Sequence, residues 1–105
     1  MEIKSTQDIT EALKSGKHLA VKFGASWCNP CKAFKSVFDK VTSKHADAVQ
    51  ACEFDIDDDD EGLCETFSIR SVPTTILFRA DGKTERLVGT LGEVEFEKWL
   101  TDNMK

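Results

Sequence analysis

Hydrophobic and polar residues change period several times along this chain, and each change marks an element. Glu2-Ile3-Lys4 is expected to form a short strand. Ile9, Ala12 and Leu13 then share one face of a helix that Ser5 or Thr6 can cap and Gly16 can stop. Leu19-Ala20-Val21-Lys22-Phe23 is an apolar run of the kind a buried strand shows. Phe34, Val37, Phe38 and Val41 return to helical spacing and predict a long helix from Ala33 to about Lys44. Val49 to Ile56 reads as a third strand, and a short helix is expected over about Asp60 to Phe67, its acidic start suited to a helix N-terminus. Val72–Phe78 and Thr84–Val88 flank Asp81-Gly82, a strong hairpin signal. The last helix opens on the capping-box pattern Thr90-Leu91-Gly92-Glu93 and carries Phe96, Trp99 and Leu100 on one side. Strands crossed over by helices, then a hairpin, predict an α/β chain with a central mixed sheet of five strands flanked by four helices.

Composition bounds what this architecture can do. At 105 residues, one domain over 1–105 is expected, with enough length for its own core. The formal charge of −5 argues against a nucleic-acid surface. No stretch approaches the ~18 apolar residues of a membrane span, and Met1 to Asp8 has no apolar export core, so the expectation is a cytoplasmic protein. In that setting four cysteines point to a catalytic or metal-binding pair before a secreted disulfide framework.

Two of them, Cys28 and Cys31, stand where the second predicted strand hands over to the long helix. Free backbone N–H groups and the helix dipole favour an anion there, so Cys28 should ionise more readily than a free thiol. Pro30 suits a first helical turn, since it has no N–H to leave unpaired and its φ is already helical. The two sulfurs are close enough in sequence to bridge.

Trp27-Cys28-Asn29-Pro30-Cys31-Lys32 resembles the active-site signature of the thioredoxin family, with Asn29 where that pattern usually has Gly. The predicted element order matches the thioredoxin fold over essentially the whole chain. The resemblance implies that the Val72–Pro73 bond is cis and lies beside the disulfide, and that Gly89 sits near the same surface. Trp27, Pro30, Val72, Pro73 and Gly89 would then form the docking face around Cys28. It further implies thiol–disulfide exchange with protein disulfides, in which Cys28 attacks and Cys31 resolves. A flavin- and NADPH-dependent thioredoxin reductase would supply electrons. The chain itself would be a monomer with no cofactor or metal.

Departures from the family pattern carry their own expectations. A buried Asp usually lies six residues before the first cysteine, and here that residue is Lys22; the partner Lys of the next strand is replaced by Glu53. The charges are swapped. In the family the Asp is thought to move the proton of the second cysteine, so Lys22, or a water it holds, is expected to serve Cys31. An ammonium there favours thiolate and hence the dithiol, making the pair somewhat more oxidising. Two alternative functions follow: an oxidase- or isomerase-like member, suggested by Asn29 and Lys22, and a non-catalytic binding or processivity subunit using the docking face. Ser36 replaces a proline that kinks the long helix in many relatives.

Other residues draw plainer readings. Cys52 and Cys64 are expected in or near the core, and the second pair lacks the short spacing of a zinc site. The acidic run Asp55 to Glu61 resembles a calcium loop when counted from Asp57, but the twelfth residue is Ser68 where a bidentate Glu is needed, so a solvated turn is expected. His18 and His45 fall near element ends and are assigned no catalytic role.

Overall fold

The computed structural model describes residues 1–105. Helix α1 (Thr6–Leu13) leads into strand β1 (His18–Gly24), helix α2 (Asn29–Lys44) and strand β2 (Val49–Asp55). A 3-10 turn (Ile56–Asp58) and the single-turn helix α3 (Leu63–Thr66) precede β3 (Thr74–Phe78), β4 (Thr84–Val88) and α4 (Glu93–Asn103). The strands lie in the order β2-β1-β3-β4, with β1 parallel to β2 and the other pairs antiparallel.

The sheet therefore has four strands and not the expected five. Glu2-Ile3-Lys4 pairs with nothing. The backbone N–H groups of Lys4 and Ser5, which a ladder would use, both donate to the Asp8 carboxylate at 2.8 and 3.1 Å. Ser5 Oγ accepts in return from Asp8 N at 3.2 Å, so Ser5 and Asp8 close a capping box on α1. Ile3 still enters the core, 4% exposed, by packing alone.

β1 is central and its inner residues are all buried, which explains its unbroken apolar run. β4 is one of the two edge strands, and its side chains alternate between exposed and half-buried. On one face of the sheet, Phe34 and Phe38 of α2 meet Phe96 and Trp99 of α4; Phe34 and Phe96 make an edge-to-face contact at 5.1 Å. Such an aromatic pair adds about 0.5–1.5 kcal/mol beyond the area it buries. The other face packs Leu19, Val21, Phe23, Ile76 and Phe78 against α1 and the α3 segment.

Several element ends differ from the sequence reading. α2 starts at Asn29, four residues before Ala33, because Cys28 caps it and Pro30 sits in its first turn. α3 is shorter than the expected Asp60–Phe67: its free N–H groups on Leu63 and Cys64 are held by the Asp59 carboxylate at 2.8 and 2.9 Å, and Gly62 enters it with φ +75°. Thr90 caps nothing. α4 starts after Gly92, with no side chain on its first amides. The β3–β4 hairpin forms as expected, its turn held by Arg79 N to Lys83 O at 2.8 Å with Gly82 at φ +91°. No helix is long and apolar enough to cross a membrane.

Candidate active site

β1 ends at Gly24, and four residues later the chain turns into α2 at Cys28. Cys28 has extended backbone and its Sγ accepts the Cys31 N–H at 3.1 Å, so the sulfur itself is the N-terminal cap. Cys28 and Cys31 are joined by a disulfide, their Cα atoms 5.3 Å apart. One helical turn brings the second sulfur under the first. Each cysteine is only 5% exposed, and the two are equally covered.

Beneath α2 lies the swapped charge pair. Lys22 and Glu53 are register partners on β1 and β2, and the Lys22 ammonium stands 3.3 Å from the Glu53 carboxylate. The pair is unequal in solvent access: the Lys22 side chain is 4% exposed and that of Glu53 43%. Lys22 Nζ also donates to the Cys31 carbonyl at 3.4 Å and sits 5.6 Å from the Phe38 ring centroid, a cation–π contact. Glu53 in turn accepts from Lys35 at 3.1 Å, and Lys35 from there reaches Asp39 at 3.0 Å. Asp39 first, then Glu53, raise the Lys35 ammonium above its ordinary value. A line of alternating charge thus runs from the second cysteine to the surface.

Sequence reasoning did not pick out three neighbours of this site. Gly24 packs its bare Cα against Cys31, where an added Cβ would lie 3.2 Å from Sγ. Thr75, the register partner of Lys22 on β3, is fully buried with its hydroxyl unpartnered. Asp57 lies in the acidic run expected to be a solvated turn, yet its carboxylate accepts the Trp27 indole N–H at 3.0 Å. The hydrophobic periods that reveal elements are blind to contacts like these.

Around Cys28 the surface is shallow and partly apolar. Trp27 is 62% exposed and, with Ile56, Cys64, Ile69 and Val72, lines a cleft of about 480 Å³. The Val72–Pro73 peptide is cis. Pro73 O accepts from Gly89 N at 2.8 Å, with Gly89 at φ +92°, while Val72 N–H and C=O make no hydrogen bond within the chain. Pro30 borders a separate depression with Phe34 and Leu91. Trp27, Val72–Pro73 and Gly89 come from three stretches of chain, and Pro30 lines a different depression from Trp27 and Val72.

The other two cysteines stand in environments that disfavour their thiolates. Burial pushes the Cys52 thiol up to about 12. Burial, with a hydrogen bond to Asp59, pushes Cys64 up to about 11. His18 Nδ1, at the start of β1, accepts from Ala80 N of the β3–β4 turn at 2.9 Å, and His45 Nε2 meets Glu97 at 2.9 Å at the end of α2; neither lies at the disulfide.

The comparisons agree with this geometry. The thioredoxin family matches residues 2–102. A thioredoxin of Mycolicibacterium smegmatis is 32% identical over 94 residues, 89% of this chain and 84% of that one. A bifunctional thioredoxin reductase/thioredoxin of Mycobacterium leprae is 29% identical over 102 residues, 97% of this chain and 22% of that longer protein. Among solved structures, the thioredoxin of Malassezia sympodialis superposes with a TM-score of 0.81 at 25% identity, covering 98% of this chain and 89% of that one. A disulfide between cysteines three apart, capping a helix on a sheet of this order in a chain so matched, has one reading. The chain belongs to the thioredoxin family, and is a thiol–disulfide oxidoreductase whose redox-active pair is Cys28 and Cys31.

Proposed function

We propose that the chain is a general protein-disulfide reductant, a single thioredoxin domain acting in the cytoplasm. The observation that carries this reading is Cys28 at the N-cap of α2, where its sulfur already accepts a backbone N–H and a thiolate would keep that bond. Cys28 thiolate attacks one sulfur of a substrate disulfide, whose S–S bond breaks to release a first thiolate and leave a mixed disulfide. Cys31 thiolate then attacks Cys28 Sγ, the mixed bond breaks, and the second substrate thiolate leaves. Two electrons pass to the substrate, and the chain is left as the Cys28–Cys31 disulfide.

Trp27, Pro30, Val72, Pro73 and Gly89 are proposed to dock the substrate chain. The unpaired N–H and C=O of Val72 support this, since an extended peptide beside them could satisfy both. Lys22 with Glu53 is proposed to serve the proton of Cys31; the line of charge out through Lys35 supports that role. For turnover, the fusion named in the Mycobacterium leprae relative supports a thioredoxin reductase as electron donor. Protein disulfides are the substrates, and the working form is a monomer with no resident cofactor or metal.

A second reading, a more oxidising oxidase- or isomerase-like member, is favoured by one observation, the buried Lys22 ammonium against Cys31. The equilibrium potential of the pair, measured in graded dithiol buffers with alkylation and mass spectrometry, separates the two. A potential below the cytosolic glutathione poise supports the reductant. One well above it supports the oxidant, and Lys22→Met should then lower it, by about 30 mV for each ~1.4 kcal/mol of thiolate stabilisation lost. A pair that exchanges with nothing would leave only a binding subunit.

A further inference from the structure

Strand β4 and the residue after it hold the segment from Phe67 to Pro73 at both ends. This segment follows α3, and its residues Ile69, Arg70, Ser71 and Val72 line the cleft beside Trp27. At its far end Pro73 O accepts the N–H of Gly89, just past β4, at 2.8 Å. At its near end the guanidinium of Arg86 donates through Nη2 to Phe67 O and through Nη1 to Ser68 O, the latter at 3.3 Å. Between these ties the N–H groups of Arg70, Ser71 and Val72 bond to nothing in the chain.

The sheet puts Arg86 where this is possible. Arg86 pairs with Ile76 in the β3–β4 register, and Ile76 belongs to the core beneath α3, so Arg86 projects to that face, whereas Leu87 packs on the face of α2 and α4. The side chain is exposed and forms no ion pair; the two carbonyls are its partners. The backbone it grips is one that needs holding. α3 ends on a Schellman turn, with Ile69 N bonded to Cys64 O at 2.7 Å and Ser68 N to Glu65 O at 3.2 Å. Ser68 takes the left-handed position of that turn, at φ +54°, where glycine is the usual residue and a serine pays a steric penalty.

We propose that Arg86 is a positioning residue for protein substrates: by forking onto the Phe67 and Ser68 carbonyls it fixes the exit of α3, and with it the Ile69–Val72 wall against which a substrate chain docks. The inference rests on the reading of the chain as a reductant of protein disulfides. A planar guanidinium suits the task because its N–H groups hold two acceptors in a set geometry at once. The Phe67 ring, edge-to-face on Phe78 at 5.1 Å, anchors the side chain at this point, and Arg86 anchors the backbone. Released from that hold, Ser68 can leave the left-handed region, and the Val72 N–H and C=O that a substrate strand would use lose their fixed aim. Arg86 touches neither cysteine, so the exchange chemistry and the potential of the pair do not depend on it. Its effect is confined to substrates large enough to lie along the segment.

The test compares the prereduced full chain with its Arg86→Met variant on two oxidants, insulin and hydroxyethyl disulfide. Insulin should react about fivefold more slowly with the variant, the scale of one net hydrogen bond. The small disulfide should react at the wild-type rate, and the equilibrium potential of Cys28–Cys31 should not move. An unchanged insulin rate, or equal slowing with both oxidants, overturns the proposal. Arg86→Lys keeps the charge but cannot fork to two carbonyls, so its insulin rate should fall between the other two; it carries the same test should Arg86→Met not fold. Amide hydrogen exchange reads the clamp with no substrate present. The Ile69 N–H, bonded to Cys64 O, should exchange about fivefold faster in Arg86→Met, and an unchanged rate overturns the clamp. A wild-type chain that reduces hydroxyethyl disulfide and not insulin defeats the protein-reductant reading instead, and the exchange rates still decide whether Arg86 holds the segment.

Discussion

Lys22 and Glu53 form an ion pair whose halves should respond to mutation with opposite signs. Lys22 has lost nearly all its water, and its compensation is one carboxylate at 3.3 Å, one long bond to the Cys31 carbonyl and a ring face. Glu53 has kept much of its water and has a second partner in Lys35. Lys22→Met removes a desolvated charge, fills the same volume with an apolar chain against Phe38, and strands nobody, because Glu53 retains Lys35 and solvent. Replacing buried ion pairs by apolar groups is often neutral or favourable, so Lys22→Met should lie between neutral and about 2 kcal/mol more stable. Glu53→Gln does the reverse, leaving an ammonium buried beside a neutral amide. A fully buried pair losing one partner costs about 3–5 kcal/mol, and the solvent reaching Glu53 reduces this to about 1–2 kcal/mol. Urea unfolding of the oxidised protein measures both. The double variant supplies the decisive number: in the Lys22→Met background, Glu53→Gln should cost almost nothing, giving a coupling of about 1–2 kcal/mol. If Lys22→Met loses more than about 2 kcal/mol, or the Glu53→Gln cost survives in the double variant, the buried lysine is held by something other than Glu53.

Thr75→Val should be neutral or stabilising, by up to about 1–2 kcal/mol, since it keeps the β-branched shape and deletes a buried hydroxyl that bonds to nothing; a clear loss of stability would reveal a partner for that hydroxyl. Asp59 is pushed up by burial, but the N–H groups of Cys64 and Leu63 outweigh this and hold its carboxyl below the usual range. With a folded value below the unfolded one, its contribution is full above the unfolded value and fades as pH falls through the folded one. Asp59→Asn should therefore cost about 1 kcal/mol near neutrality, the scale of a lost cap, and the gap to wild type should close in acid, read by urea midpoints across pH. In the reduced protein at pH 8, iodoacetamide should label Cys28 well before Cys64, whose thiol lies near 11; comparable rates, read by peptide mapping, would put Cys64 in a more ionising environment than its contact with Asp59 provides.

The fold was legible wherever side-chain period alone decides it. The apolar run of β1, the spacing of Phe34, Phe38 and Val41, and the Asp81-Gly82 turn each state a local preference that the packed structure keeps. What period cannot rank is competition for the same backbone groups. Glu2-Ile3-Lys4 has a strand's alternation, but Asp8 captures the amides of Lys4 and Ser5 and the ladder never starts. Thr90-Leu91-Gly92-Glu93 has a capping box's letters, but the helix begins after Gly92, two residues later than a Thr90 cap requires, so Glu93 is its first residue and not its third.

The site divides along the same line. Cys28 and Cys31 could be placed because a strand-to-helix junction and a spacing of three are properties of one short stretch. Lys22 against Glu53 needed the offset between β1 and β2, which the family resemblance supplied and the parallel register carries. Thr75 needed a third strand as well. Together Glu53, Lys22 and Thr75 form one row across β2, β1 and β3 on the face that α2 covers, polar where the row through Ala51, Ala20 and Leu77 is apolar. A polar row in a sheet core costs stability unless its members are paired or hydrogen-bonded. Here its middle member bonds to the carbonyl of Cys31 and its outer member reaches solvent. The proton path to Cys31 proposed above would run along this row, and that proposal, unlike packing, would account for its polar residues.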